Sequence, residues 1–212
     1  VGFGSADNNQ TSNNVTALGY EAAGLGTQAN QVTAIGSQSL YKNTAADNTA
    51  CGYAALFENT SGANNTAVGS EALLNNTSGT QNTAVGYRAL DANTSSSYST
   101  AVGTEALTSS NGPYNTAFGV GALALCTSGQ QNTAVGYHSS RAVTTGLYNT
   151  SIGLESAKSA TTGSYNTCLG YRAGHAQSHF SLTTQSNRVV IGYSNTTNAY
   201  IKVAWTVVSD AR

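Results

Sequence analysis

Charge is scarce in this chain. Of 212 residues, 8 are Lys or Arg and 9 are Asp or Glu, so charged residues make up only 8%. So little charge, nearly balanced, excludes an electrostatic grip on nucleic acid or an anionic membrane. Proline occurs once, at Pro113. Disorder usually brings high net charge and much proline. This chain has neither, and it carries 12 Tyr, so ordered structure is expected. No apolar run is long enough to span a bilayer, and no signal peptide is visible. Methionine is absent, and Val1-Gly2-Phe3 enters in the middle of a repeat, which points to a segment of a longer polypeptide.

What is abundant is repetition. Residues 81–88 read QNTAVGYR and residues 131–138 read QNTAVGYH. Aligned on the glycine of AVG, the period runs through Gly2, Gly19, Gly36, Gly52, Gly69, Gly86, Gly103, Gly119, Gly136, Gly153 and Gly170, in steps of 16 or 17 residues. Three residues before each glycine stands Thr, from Thr16 to Thr167, and the set includes Thr66, Thr83, Thr100, Thr116 and Thr133. The residue two before is nearly always Ala. The residue one before is apolar, as in Leu18, Ile35, Val85, Phe118 and Leu169. Three residues after the glycine comes Ala or Ser, and four after is often Leu. Several columns held in phase over so many copies mark a repeat architecture.

A helical-pair repeat needs a longer unit, and NTSG breaks a helix. The pattern NTAVGYRAL reads instead as short extended segments, with turn formers in NTSG at 59–62 and 76–79. One strand, a bend, a second short strand and a turn make one coil of an all-β solenoid. Eleven such coils, each advancing by the strand spacing, give a rod about 50 Å long. The repeated glycine suits a corner with positive φ or close backbone approach. The expected interior is a thin core of Val, Ile, Ala and Leu. The Ala and Gly face would then let a neighbouring chain approach, which predicts association about a long axis.

Single columns carry further expectations. Two residues after the glycine, Glu71, Arg88 and Glu105 alternate in sign, as do Glu155 and Arg172; such cross-strand pairs stabilise by roughly 0.2–1 kcal/mol each. This column reads as solvent-facing and structural. Cys51 and Cys168 fall in apolar columns and read as buried, while Cys126 sits at a corner. They lie too many coils apart for disulfides, so three free thiols are expected.

The NTAVGYxAL…NTSG repeats resemble those of bacteriophage tail fibres, and they are similar to the left-handed β-roll in heads of trimeric autotransporter adhesins. The resemblance covers roughly residues 1–173. It implies a homotrimeric β-roll that displays a surface to a cell. After Gly170 the period fails, and the next similar glycine is Gly192. Residues 174–187 read as an irregular loop. RVVIGY and AYIKVAWTVV, within 188–212, read as strands. The ending SDAR (209–212) resembles the junction before the self-cleaving intramolecular chaperone of phage tail fibres and endosialidases. That resemblance implies a cut at Ser209, with Asp210 and Arg212 completing the motif and the partner Lys lying beyond this chain. It further implies a virion location after assembly in a host cytoplasm, and a bacterial surface receptor that is a glycan or an outer-membrane component. A bacterial adhesin head at the cell surface is the alternative.

Other functions are weighed against structural roles. A flat Thr array can match ice, but one Thr column beside an apolar column favours a structural ladder. The Asn column four before the glycine (Asn48, Asn65, Asn82, Asn115, Asn132, Asn149, Asn166) reads as a stacked amide ladder. Tyr98, Tyr114, Tyr148 and Tyr165 recur five before the glycine, and Tyr20, Tyr53, Tyr87, Tyr137 and Tyr171 directly after it. Both sets serve either packing or receptor contact. His175, His179 and Phe180, in the irregular loop, are the main receptor-contact candidates, because loops carry function. His175 and His179 lack the company of Cys or carboxylate that a metal site needs. Sequons at Asn14, Asn59, Asn76 and Asn149 arise readily in Asn- and Thr-rich repeats. A fibre-borne glycan depolymerase needs paired carboxylates in differing environments; Glu71 and Glu105 approach that spacing with Arg88 between them. No cofactor motif is present, and self-cleavage at Ser209 is the one reaction expected, with a nucleophilic Ser.

Overall fold

The computed structural model describes residues 2–7, 13–26, 30–176 and 181–194. One strand forms in each coil: β1 (Val15–Leu18), β2 (Val32–Ile35), β3 (Thr49–Cys51), β4 (Thr66–Val68), β5 (Thr83–Val85), β6 (Thr100–Val102), β7 (Thr116–Phe118), β8 (Thr133–Val135), β9 (Thr150–Ile152), β10 (Thr167–Leu169) and β11 (Val189–Ile191). They form a single 11-stranded parallel sheet in sequence order. Thr66 pairs with Thr83, Thr83 with Thr100, Thr100 with Thr116 and Thr116 with Thr133. Like residues therefore stack in lines, and the chain is a parallel β-solenoid of 16- or 17-residue coils.

The second short strand expected in each coil is not there. After the glycine the backbone bends through two left-handed residues, for example Arg88 at φ 53° and Leu90 at φ 53°, and a third, Gln81 at φ 57°, precedes the strand. Left-handed conformations cost non-glycine residues roughly 1–2 kcal/mol each. Coil-to-coil hydrogen bonds help to offset that cost. The Arg88 amide donates to Ser70 in the preceding coil, and the Leu90 amide donates to Ala106 in the following one.

The core also differs from expectation. Ala two before the glycine points inward and is buried, while the large apolar residue before the glycine points out. Side chains alternate along a strand, so burying Ala forces Thr and Val to the other face. The space left beside the small Ala is filled from across the coil. Leu40, Leu56, Leu73, Leu90, Leu107 and Leu123 are fully buried there, with Ala55, Ala72, Ala89, Ala106 and Ala122. Each buried Leu contributes about 1.5–3 kcal/mol. The glycine is required for a reason internal to the chain. A Cβ on Gly86, at φ 135°, would lie 2.6 Å from the Gly103 carbonyl of the next coil. Close approach at this column therefore joins coils of one chain.

Amides complete the interior. Asn65 Nδ2 donates to the Gly79 carbonyl at 2.8 Å, and Asn65 Oδ1 accepts from the Asn82 amide at 3.0 Å. The same arrangement recurs at Asn48, Asn82, Asn115, Asn132 and Asn149. A second amide column starts each NTSG turn. Asn59 donates to Asn43 at 2.6 Å, Asn76 to Asn59 at 2.7 Å and Asn93 to Asn76 at 2.7 Å. Beyond Asn93 that column becomes Ser110, Cys126, Val143 and Ala160, all buried.

The interior changes toward the C-terminus in a coordinated way. Leu gives way to Ser140, and Ala to Ser151; their hydroxyls hydrogen-bond at 2.7 Å. Where the Leu column reaches Gly174, the irregular segment returns Leu182 to the core. A Cβ on Gly174 would lie 3.0 Å from both Leu182 Cδ1 and Cys168 Sγ. The RVVIGY strand then pairs with β10 as β11, in register Thr167 to Val189.

Candidate functional site: the outward face of the sheet

The outward face carries four lines of side chains. They come five, three and one residues before the glycine and one residue after it. The inner two are Thr and a large apolar residue. Leu18, Ile35, Val68, Phe118, Val135 and Ile152 are exposed in the apolar line, with Phe118 at 50%. Cys51 belongs to this line, so it is half-buried rather than core; Cys168, on the inward alternation, is fully buried as expected. Beside them Tyr20, Tyr53, Tyr87, Tyr137 and Tyr171 are also exposed, as are Val120 and Leu154. The result is an apolar stripe that runs the length of the sheet.

The Thr line three before the glycine is held through its backbone: the Thr66 amide donates to Asn82 and the Thr83 amide to Ser99. Hydroxyl laddering occurs on another corner. Thr60 Oγ1 donates to the Thr77 carbonyl at 3.0 Å, Thr77 to Thr94 at 2.8 Å and Thr127 to Thr144 at 3.2 Å. The recurring T of NTSG was the sequence signal for this second line.

Charged side chains flank the face. Arg88 lies 3.6 Å from Glu71 across coils and 2.6 Å from Asp91 within its own coil. Arg172 lies 2.6 Å from Glu155, which also receives Lys158. Hydrogen bonds from Lys158 and Arg172 hold the Glu155 carboxyl at about 2 against the desolvation of its buried site. The Glu155 and Arg172 pair is thus as expected in sign, but Glu155 is buried rather than solvent-facing. His138 fits over Gly121, whose missing side chain makes room for the ring, and burial lowers its pKa. Burial likewise pushes the Cys126 thiol up to about 11 and Cys168 to about 12, so neither is a poised nucleophile.

Of the loop residues singled out from sequence, His175 is buried at the end of the core, its pKa lowered by burial, and its amide donates to the Arg172 carbonyl. His179, Phe180, the AYIKVAWTVV segment and Ser209 lie outside the described residues. Asn59, Asn76 and Asn149 are buried amides, which removes them as sugar acceptors in the folded chain. Among the described residues no group of three or more His, Cys, Asp or Glu is placed to hold a metal ion. Among them, too, no helix is long and apolar enough to cross a membrane.

Nothing in the sequence marks the Tyr column five before the glycine as strained. Tyr98, Tyr114, Tyr148 and Tyr165 all have positive φ, between 57° and 64°. Their exposed rings stack in two pairs. Tyr98 and Tyr114 have centroids 5.1 Å apart, and Tyr148 and Tyr165 4.8 Å apart. Comparison with known proteins finds no matching family model, no matching curated protein and no matching solved structure, so the reading of this solenoid rests on its own geometry and repeat pattern.

Proposed function

We propose that this chain is a structural and host-recognition segment of a trimeric phage tail fibre. The observation that carries the proposal is the apolar stripe. The Thr, apolar and Tyr lines span about 13 Å of strand direction, and the rod is about 50 Å long, giving a face on the order of 650 Å². That approaches the roughly 800 Å² per partner of a standard interface. A straight, regular line of Val, Ile, Leu, Phe and Tyr suits a second and third copy of the same rod lying alongside. The three-fold count and a left-handed coil come from the tail-fibre and adhesin-head resemblance.

In this reading the chain positions a receptor-binding surface and does not turn over an external substrate. The one reaction assigned to it is the cut at Ser209, which requires a downstream chaperone domain. The reading is tested by light scattering on the intact protein and on a Val85→Asp, Val102→Asp variant. The intact protein is expected at three times the chain mass. The variant is expected to be monomeric with its β circular dichroism kept, since both side chains point away from the core. A monomeric intact protein overturns the proposal.

A further inference from the structure

Five residues before the glycine, coils six to ten carry Tyr98, Tyr114, Gln131, Tyr148 and Tyr165. We infer that this row is a binding site for an uncharged glycan, which deepens the recognition half of the tail-fibre reading and rests on it.

The backbone supplies the first argument. Every residue of the row has positive φ. Asn and Asp tolerate that conformation, whereas a bulky ring there is an outlier. Earlier coils use Asn14, Gln31, Asp47, Asn64 and Gln81 at the same place, all with positive φ. The C-terminal coils instead hold four Tyr there, with Tyr165 at 58% exposure and the others near half.

Spacing supplies the second. Ring separations of 5.1 and 4.8 Å follow the rise of the solenoid. Tyr114 and Tyr148, two coils apart, therefore present ring faces about 10 Å from each other. Between the two rings stands Gln131, exposed, with its amide nitrogen donating to the Pro113 carbonyl and its side-chain carboxamide available to ligand. A carboxamide both donates and accepts, which suits adjacent sugar hydroxyls.

The chemistry of the surroundings supplies the third. The row contains no charged residue, and its neighbours along the chain are Ser97, Pro113, Gln130, Leu147 and Ser164. Nothing there would recognise a phosphate or a carboxylate. The aliphatic line one residue before the glycine lies about 13 Å away along the strand direction, with the Thr line of the contact face between them. Aromatic faces with amides and hydroxyls, and no charge, complement a neutral sugar chain.

The test is calorimetric titration of the intact protein with maltohexaose, cellohexaose and chitohexaose as neutral probes. At least one probe is expected to bind. Tyr114→Asn with Tyr148→Asn, residues that earlier coils use at this position, is expected to weaken binding by about tenfold or more. Tyr114→Phe with Tyr148→Phe keeps both rings and is expected to retain affinity within a few-fold. The absence of binding by all three probes at millimolar concentration overturns the inference, as does a double Asn variant that binds unchanged. Should the Asn variant fail to fold, Gln131→Ala takes its place, with weaker binding expected and unchanged binding overturning the site. Mass is measured on the same sample. A trimer that ignores all probes overturns this inference alone, and a monomer that binds one overturns the fibre reading alone.

Discussion

Replacing Asn65 by Ala tests whether the buried amides, more than the thin apolar core, hold the coils together. Asn65 is 1% exposed. Its Oδ1 accepts from the Asn82 amide at 3.0 Å, and its Nδ2 donates to the Gly79 carbonyl at 2.8 Å. Alanine leaves the Asn82 N–H buried and unpaired, which costs about 1–3 kcal/mol. The Gly79 carbonyl keeps a second donor, Asn76 Nδ2 at 3.1 Å. Only one bond is lost there, worth about 0.5–1.5 kcal/mol. The expected destabilisation is therefore about 2–4 kcal/mol, large for one small polar side chain. It is read from guanidinium unfolding followed by circular dichroism. Because each coil contacts only its neighbours, amide exchange is expected to accelerate first around residues 65–83. Ser78→Ala, in an exposed turn, is the control and is expected to change stability by less than about 0.5 kcal/mol. An Asn65→Ala loss no larger than that control refutes the reasoning.

Three other outcomes follow from the same geometry. Gly86→Ala is expected to prevent stacking of the coils around Gly103, because a Cβ there meets backbone at 2.6 Å; a soluble variant with wild-type melting temperature would contradict it. The folded Glu155 carboxyl, at about 2, lies below its ordinary value. Its contribution is thus fully present above the unfolded value and is lost as pH falls from about 5 toward 2. Melting temperature is expected to drop across that window, and Glu155→Gln is expected to flatten the drop; equal acid sensitivity in both proteins argues against the ion pairs. Maleimide labelling separates the three thiols: Cys126 and Cys168 are expected to resist in the folded chain, being buried with pKa raised to about 11 and 12. Cys51, on the outward face, is expected to label quickly in the monomeric Val85→Asp, Val102→Asp variant and slowly in the trimer; equal rates count against the stripe as the contact between copies.

The period, the stacking of like residues and the line of glycines were legible without coordinates. They are properties of order along the chain, and a parallel solenoid converts a fixed repeat length directly into columns. The Asn column before each Thr was legible for the same reason. What order alone left open was which side of each strand faces inward. Thr-Ala-Val alternates either way, and hydrophobicity favours burying Val85 over Ala84. The tertiary structure decided it by volume: Leu90 and two amide columns already fill the narrow interior, so only Ala fits opposite them. That choice placed Cys51 and Phe118 on the surface and created the stripe. Nor could order along the chain show Leu182 returning to close the core over Gly174, or Tyr98, Tyr114, Tyr148 and Tyr165 held at positive φ with rings outward. Those features depend on where the chain meets itself in space, because side-chain volume and backbone strain are settled only among neighbours in three dimensions.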